Sequence, residues 1–414
     1  YVILQKHKTL LGRYFYNIII YIHSWDFSFT STFKMRPFRR ILRDLYWAFV
    51  CSMVFVLVMR EYILPHRAKR VEEENGPEEI EALATQVETW LHSKLQRNNR
   101  RQNATLCDIY KKAKEEPHVL FPNVLPLNPA KIDPSDVTLV LQCSLDRAKT
   151  VNNIMERWLG PVSIAVYLKS STAPLSSVSL KSFLNYPWAA KRNNVFLHSV
   201  TDDALFYPVN YMRNVALNNS QTTLSLLLDC DFVPSINLYE HLKTKVAKWP
   251  HDKHALVIPA FEYLLNNTST YPMRKHELIK EWSRNALQPF HLLKDGTGFH
   301  SVTDFEKWKT ATQQYKIVEW IDGFEPYILV KTKALPQYDE RFVGRLRDKM
   351  SFFYHLHFLD FKFEVDHAGF VLHLPHPKQD YSKFGRYYRC AEDLYISFKD
   401  SMPIKNTTVS PARK

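Results

Sequence analysis

The sequence predicts an α/β domain with a mixed, mostly parallel sheet, on three observations. From Val137 onward, short β-rich runs alternate with stretches of helical spacing. Those runs are nearly continuous in apolar residues, as in Thr223 to Leu228, which is how strands buried on both faces read. The chain has 414 residues, 45% hydrophobic and 23% charged, enough for a large core.

The elements follow in order. Val137 to Cys143 reads as a strand. Leu145 to Leu159 has helical spacing and stops at Gly160, a C-cap signal. Val162 to Leu168 and Asn194 to Val200 are strands, and Tyr207 to Asn218 is a helix beside Pro208. The strand Thr223 to Leu228 ends in Asp229-Cys230-Asp231. A helix over Ile236 to Trp249 and a strand over Ala255 to Pro259 follow. The later half has strands at Tyr315 to Ile321, Tyr327 to Lys331, Phe361 to Val365 and Phe370 to Leu374, with helices near 344–359 and 383–400. One catalytic-type domain over 136–414 is expected, not two.

Upstream the pattern is that of a membrane anchor. The chain begins at Tyr1, and Met35 is the expected start, leaving 1–34 as an upstream extension. Arg36, Arg39, Arg40 and Arg43 precede the apolar run Leu45 to Met59, which reaches a span of about 20 residues if carried to Leu64. The arginines place 1–44 in the cytoplasm and the remainder in the lumen. A cleaved signal peptide is the rival reading, but no small-x-small site follows the run.

Residues 65–135 read as a lumenal stem. Pro77 to Gln96 looks helical, with Ile80, Leu83, Val87, Trp90, Leu91 and Leu95 on one side. That stripe could dock on the domain or pair two chains into a homodimer. Prolines 117, 122, 126, 129 and 134 mark a linker. Acceptor sequons at Asn103, Asn218, Asn266, Asn267 and Asn406 agree with a lumenal location. Beyond the anchor, Cys107, Cys143, Cys230 and Cys390 allow three pairings or free buried thiols.

The formal net charge is +13, but no dense basic stripe interleaved with aromatics appears, so no nucleic-acid partner is expected. Nine glycines argue against a glycine-loop nucleotide fold. No P-loop, zinc spacing or Ser/His/Asp arrangement is found.

Asp229-Cys230-Asp231 is the first chemistry-bearing feature. Open α/β sheets place ligands at the carboxyl ends of strands, and two carboxylates there can grip a hard divalent cation that bridges a diphosphate. A solvated turn is the plain alternative. His373 and His376, in Leu372-His373-Leu374-Pro375-His376-Pro377, could complete an O/N site. Glu262, Glu325, Asp339 and Asp348 are candidate general bases, since a sugar hydroxyl attacking an anomeric carbon benefits from proton removal. The default for any one of them is a surface charge.

These residues sit in motifs that resemble the LARGE-type glycosyltransferases, specifically the glucuronyl-transferring C-terminal half of LARGE and the beta-1,4-glucuronyltransferase. The likeness covers about residues 137–400. It runs through VTLVLQCSLDRAKT (137–150), WLGPVSIAVYL (158–168), YPVNYMRNVALN (207–218), LLLDCDFVPS (226–235), ALVIPAFE (255–262), WKTAT (308–312), FEPYILV (324–330), YDERFVG (338–344) and FVLHLPHP (370–377). Any one is weak; nine in fixed order are specific.

The resemblance implies a GT-A fold, a UDP-sugar donor, manganese, inversion at the anomeric carbon, and a Golgi type II membrane protein. By position, Asp229, Asp231 and His373 would be the metal ligands. Asp146, Arg147, Asn210, Arg213 and Asn214 would lie near the donor, and Glu325 and Asp339 on the acceptor side or as the base. The implied reaction moves glucuronate to a xylose-terminated or related glycan of the O-mannosyl type. The alternatives are N-acetylglucosamine transfer and a non-catalytic Golgi scaffold. The scaffold reading rests on two departures. After YDERFVG the family runs Tyr/Phe-Gly-aromatic-Asn-Lys, where this chain has Arg345-Leu346-Arg347-Asp348-Lys349. His355 also stands where the family carries Glu.

Overall fold

The chain passes from one sheet to a second between Leu224–Leu227 and Phe232–Pro234, and that junction carries the candidate site. In the computed structural model the described residues are 106–126, 128–169, 177–264, 271–292, 298–375 and 387–403. All fall in one compact unit, Leu57–Lys414. Met35, the expected 45–64 anchor, the Pro77 to Gln96 helix and His376 lie outside them. Among the described residues no helix is long and apolar enough to cross a membrane.

The strands are β1 Val119–Leu125, β2 Val137–Ser144, β3 Val162–Lys169, β4 Val195–Asp202, β5 Leu224–Leu227, β6 Phe232–Pro234, β7 His254–Ile258, β8 Ala260–Tyr263, β9 Leu287–Pro289, β10 Tyr315–Lys316, β11 Tyr327–Lys331, β12 Lys362–Val365 and β13 Val371–His373. The main sheet has the order β1-β4-β3-β2-β5-β11-β7-β12-β10. Its centre, β4-β3-β2-β5, is parallel. β11 enters antiparallel between β5 and β7. The second sheet is β6-β13-β8-β9.

Both faces of the main sheet are buried, as the continuous apolar runs require. Val137, Leu139, Leu141 and Cys143 of β2 pack into one core with Trp158 and Tyr239. Val140 packs into the other, with Met212 of the Val209–Asn218 helix and Phe353 of the Asp348–Phe358 helix.

Several expectations are corrected. The stem expected over 65–135 is partly inside the fold. Leu106–Lys111 is a helix, Cys107 is disulfide-bonded to Cys390 in the Tyr388–Asp400 helix, and β1 pairs antiparallel with β4. The prolines misled because an edge strand tolerates them: Pro122 sits where the β1–β4 register shifts. The helix expected over Ile236 to Trp249 is only Leu238–Lys243 plus a 3₁₀ turn, broken where Thr244 Oγ1 bonds back to the His241 carbonyl. The expected strand Tyr315 to Ile321 pairs with β12 over Tyr315 and Lys316.

Gly160 is needed for a different reason than a C-cap. The helix is Ala148–Arg157, and Trp158 already follows it in extended conformation. At Gly160 the Tyr239 ring takes the space a side chain would fill: a Cβ there would meet its Cε2 at 2.1 Å. Gly160→Ala is therefore expected to cost about 1–3 kcal/mol by overpacking. Urea denaturation should show that loss, and a smaller one in a Tyr239→Leu background, where the two changes couple.

Candidate functional site

β5 ends at Leu227, and the chain turns through Asp229 and Asp231 into β6, leaving the main sheet for the second one. β13 then pairs antiparallel with β6, opposing His373 to Phe232. The Leu374 amide donates to the Asp231 carbonyl at 2.8 Å. Sheet pairing thus delivers His373 Nε2 to 3.6 Å from Asp231 Oδ2.

Asp229 meets two cations and a phenol. Lys349 Nζ donates to its Oδ2 at 2.7 Å and Tyr327 Oη to the same oxygen at 3.0 Å. Arg213 Nη2 reaches its Oδ1 at 3.4 Å. Arg213 is buried, and its Nη1 donates to Asp348 Oδ2 at 2.7 Å. Glu325 Oε2 lies 3.8 Å from Lys349 Nζ.

The charges set the protonation states. Burial works to raise Asp229, but Lys349 and Arg213 outweigh it and hold the carboxyl below its ordinary range. Burial works to lower Arg213, but Asp348 and Asp229 outweigh it and keep the guanidinium charged. Burial pushes Glu325 up to about 7, against the pull of Lys349. A carboxyl poised there suits proton abstraction near neutral pH.

Among the described residues no group of three or more His, Cys, Asp or Glu side chains is arranged to hold a metal. Asp231 and His373 are neighbours, but Lys349 and Arg213 engage Asp229, so the expected triad is not gathered as a set. Its chemistry still fits a divalent ion. Two carboxylates and an imidazole are O/N donors. In this cluster Asp229, Asp231, Glu325 and Asp348 also outnumber the cations Arg213 and Lys349 by two.

The other expected residues divide. Asp146 and Arg147 lie in the turn after β2, with Asp146 largely exposed and 3.5 Å from Arg147 Nε. Asn210 and Asn214 brace the chain segment beyond Gln337, and Asn210 Oδ1 also accepts from Arg213 Nη1 at 2.9 Å. Asn210 donates to the carbonyls of Asp339 and Asp348, and Asn214 bonds the Tyr338 backbone and Glu340. Asp339 is gripped by Arg341 Nε and Nη2 and lines a separate open cleft of about 330 Å³ with Lys114 and Glu340. Glu262 accepts from Gln288 and the His291 amide. Of the four candidate bases, Glu325 stands beside Lys349, and burial raises its pKa.

Spacing did not reveal Lys349, Tyr327 or the Arg213–Asp348 pair as parts of the site. Leu346 has φ 89° and Arg347 φ 62°, so both non-glycine residues sit in the left-handed region under strain. Tyr387 fixes this turn, its hydroxyl bonding the amide and carbonyl of Arg345, and Glu392 holds Arg347. The turn sets the start of the helix that presents Lys349.

The family described as glycosyl-transferase for dystroglycan matches residues 136–203 and 189–386. The chain belongs to this family. It is 37% identical over 285 residues to a xylosyl- and glucuronyltransferase LARGE2s of Gallus gallus, covering 66% of this chain and 37% of that one. It is also 37% identical over 282 residues to human LARGE1, covering 65% and 36%. The chain therefore spans little more than a third of the length of these relatives. Among solved structures, GalNAc-T7 with UDP, GalNAc and Mn2+ aligns at 13% identity and TM-score 0.41, over 64% of this chain and 49% of that one.

The part-buried Arg213–Asp348 pair gives a direct test. Asp348→Ala leaves Arg213 with Asn210 Oδ1 at 2.9 Å and the longer contact to Asp229, and is expected to cost about 3 kcal/mol in chemical denaturation. Asp348→Asn, which keeps a hydrogen-bond acceptor, should cost less.

Proposed function

We propose that this chain is an inverting glycosyltransferase with a GT-A-type site that transfers a sugar from a UDP donor to a glycan. The observation that carries this reading is the β6–β13 pairing, which sets His373 against Asp231 beside a carboxylate already bridged to Arg213 and Lys349. Asp229, Asp231 and His373 would hold a divalent ion such as Mn2+, and Arg213 and Lys349 would meet the donor diphosphate. The ion would supply charge neutralisation as the nucleotide diphosphate leaves. Glu325 would take the proton of the attacking acceptor hydroxyl.

The relatives' names speak of xylosyl and glucuronyl transfer, which supports glucuronate as donor sugar; the acceptor we propose is a xylose-terminated or related glycan, with N-acetylglucosamine transfer as the alternative. The Cys107–Cys390 bridge supports an oxidising lumen, in line with a Golgi type II protein anchored through 45–64.

With Mn2+, UDP-glucuronate and a xylose-ended acceptor, the full chain is expected to release UDP. Asp229→Asn with Asp231→Asn should abolish that release in a coupled UDP assay. Release from no UDP-sugar by the wild type would turn the assignment toward a scaffold.

Glu325 gives a pH test. A base must be deprotonated, so kcat/KM should fall as pH drops through about 7. Glu325→Gln should remove that limb and lower kcat by about 100-fold or more. The stability sign is opposite. The folded carboxyl sits above its ordinary 4.5, so its stabilising contribution is full below that value and is lost as pH rises through about 7. In the metal-free chain Glu325→Gln should therefore melt higher than wild type above pH 7.

A further inference from the structure

Phe299 is a large ring left about half exposed, at 49%. Exposure alone would mean little, since single apolar side chains on a surface are ordinary. Its seat is what distinguishes it. The ring rests on Gly323, which has φ +100°, and a Cβ at that position would come within 2.4 Å of Phe299 Cδ1 and 3.1 Å of Met350 Cε. The backbone is thus shaped to receive this ring where no side chain could stand.

The seat adjoins the reacting groups. Gly323 precedes Glu325 by two residues, so their Cα atoms lie within about 7 Å. Phe324 between them is fully buried, which fixes the loop. Met350 follows Lys349, whose ammonium is 3.8 Å from Glu325. On the other side, His300 is buried with its ring 5.8 Å from that of Phe324, and the Lys349 charge adds to the burial that lowers its pKa. Phe299 is therefore linked to the candidate base through Gly323, two residues before Glu325, and Gly323 also faces Met350, next to Lys349.

We propose that the exposed face of Phe299 is a stacking platform for a neutral pyranose ring of the acceptor. The proposal rests on the sugar-transfer reading above and names its acceptor subsite. A diphosphate or a sugar carboxylate is drawn to Arg213 and Lys349. An uncharged ring with an apolar C–H face is drawn instead to the electron-rich face of an aromatic.

The test uses methyl β-xylopyranoside as probe and saturation-transfer NMR on the full chain, which reads binding without turnover. Wild type should saturate the C–H protons of one sugar face. Phe299→Ala and Phe299→Leu should cut that signal at least about fivefold, while Phe299→Trp keeps it. Phe299→Leu preserves apolar bulk and so decides the matter should the alanine variant misfold. In turnover the acceptor KM should rise about tenfold in Phe299→Leu, with UDP-induced thermal stabilisation unchanged. Equal saturation in wild type and Phe299→Leu, or none in wild type, would overturn the subsite. Failure of the transferase reading shows separately, as no UDP release by wild type with any donor.

Discussion

Asp229 is a partly buried carboxylate whose pKa Lys349 and Arg213 hold down, and the rest of the site is arranged around those charges. Burial alone works to raise its pKa, because it disfavours the charged form. Asp348 and Asp229 raise the pKa of Arg213, and Asp229 and Glu325 that of Lys349, against the burial that works to lower both. Each charge thus supports the others.

Distant parts of the chain must converge for this to happen. β5 delivers Asp229 at its carboxyl end, where an open sheet exposes its ligands. The Val209–Asn218 helix delivers Arg213, and its asparagines tie it to the segment 338–348. That segment ends in the strained turn at Leu346 and Arg347, fixed by Tyr387 and Glu392 from the C-terminal helix. The Cys107–Cys390 bridge joins that helix to the segment before β1, well outside the span that spacing marked as the domain.

Much of the sheet could be read in the sequence because its strands are buried on both faces and carry continuous apolar runs. Tyr327 to Lys331 matches β11 residue for residue. Boundaries failed where a local bond or a distant ring intervened, as at Thr244 and Gly160. The carboxylates at the end of β5 were legible from position alone. Lys349, Tyr327 and the Arg213–Asp348 pair were not, because their roles arise from contacts across more than 90 residues of chain that no spacing encodes. Asn210 and Asn214, placed near the donor by resemblance, hold the 338–348 backbone, and Asn210 also accepts from Arg213.

The most direct measurement is the thermal midpoint of the full chain with Mn2+ alone, UDP alone, and both together. If the cluster at Asp229 is a metal–diphosphate site, ion and nucleotide complete each other's coordination. Their joint shift should then exceed the sum of the separate ones. A UDP shift that is the same with and without Mn2+ would contradict that account.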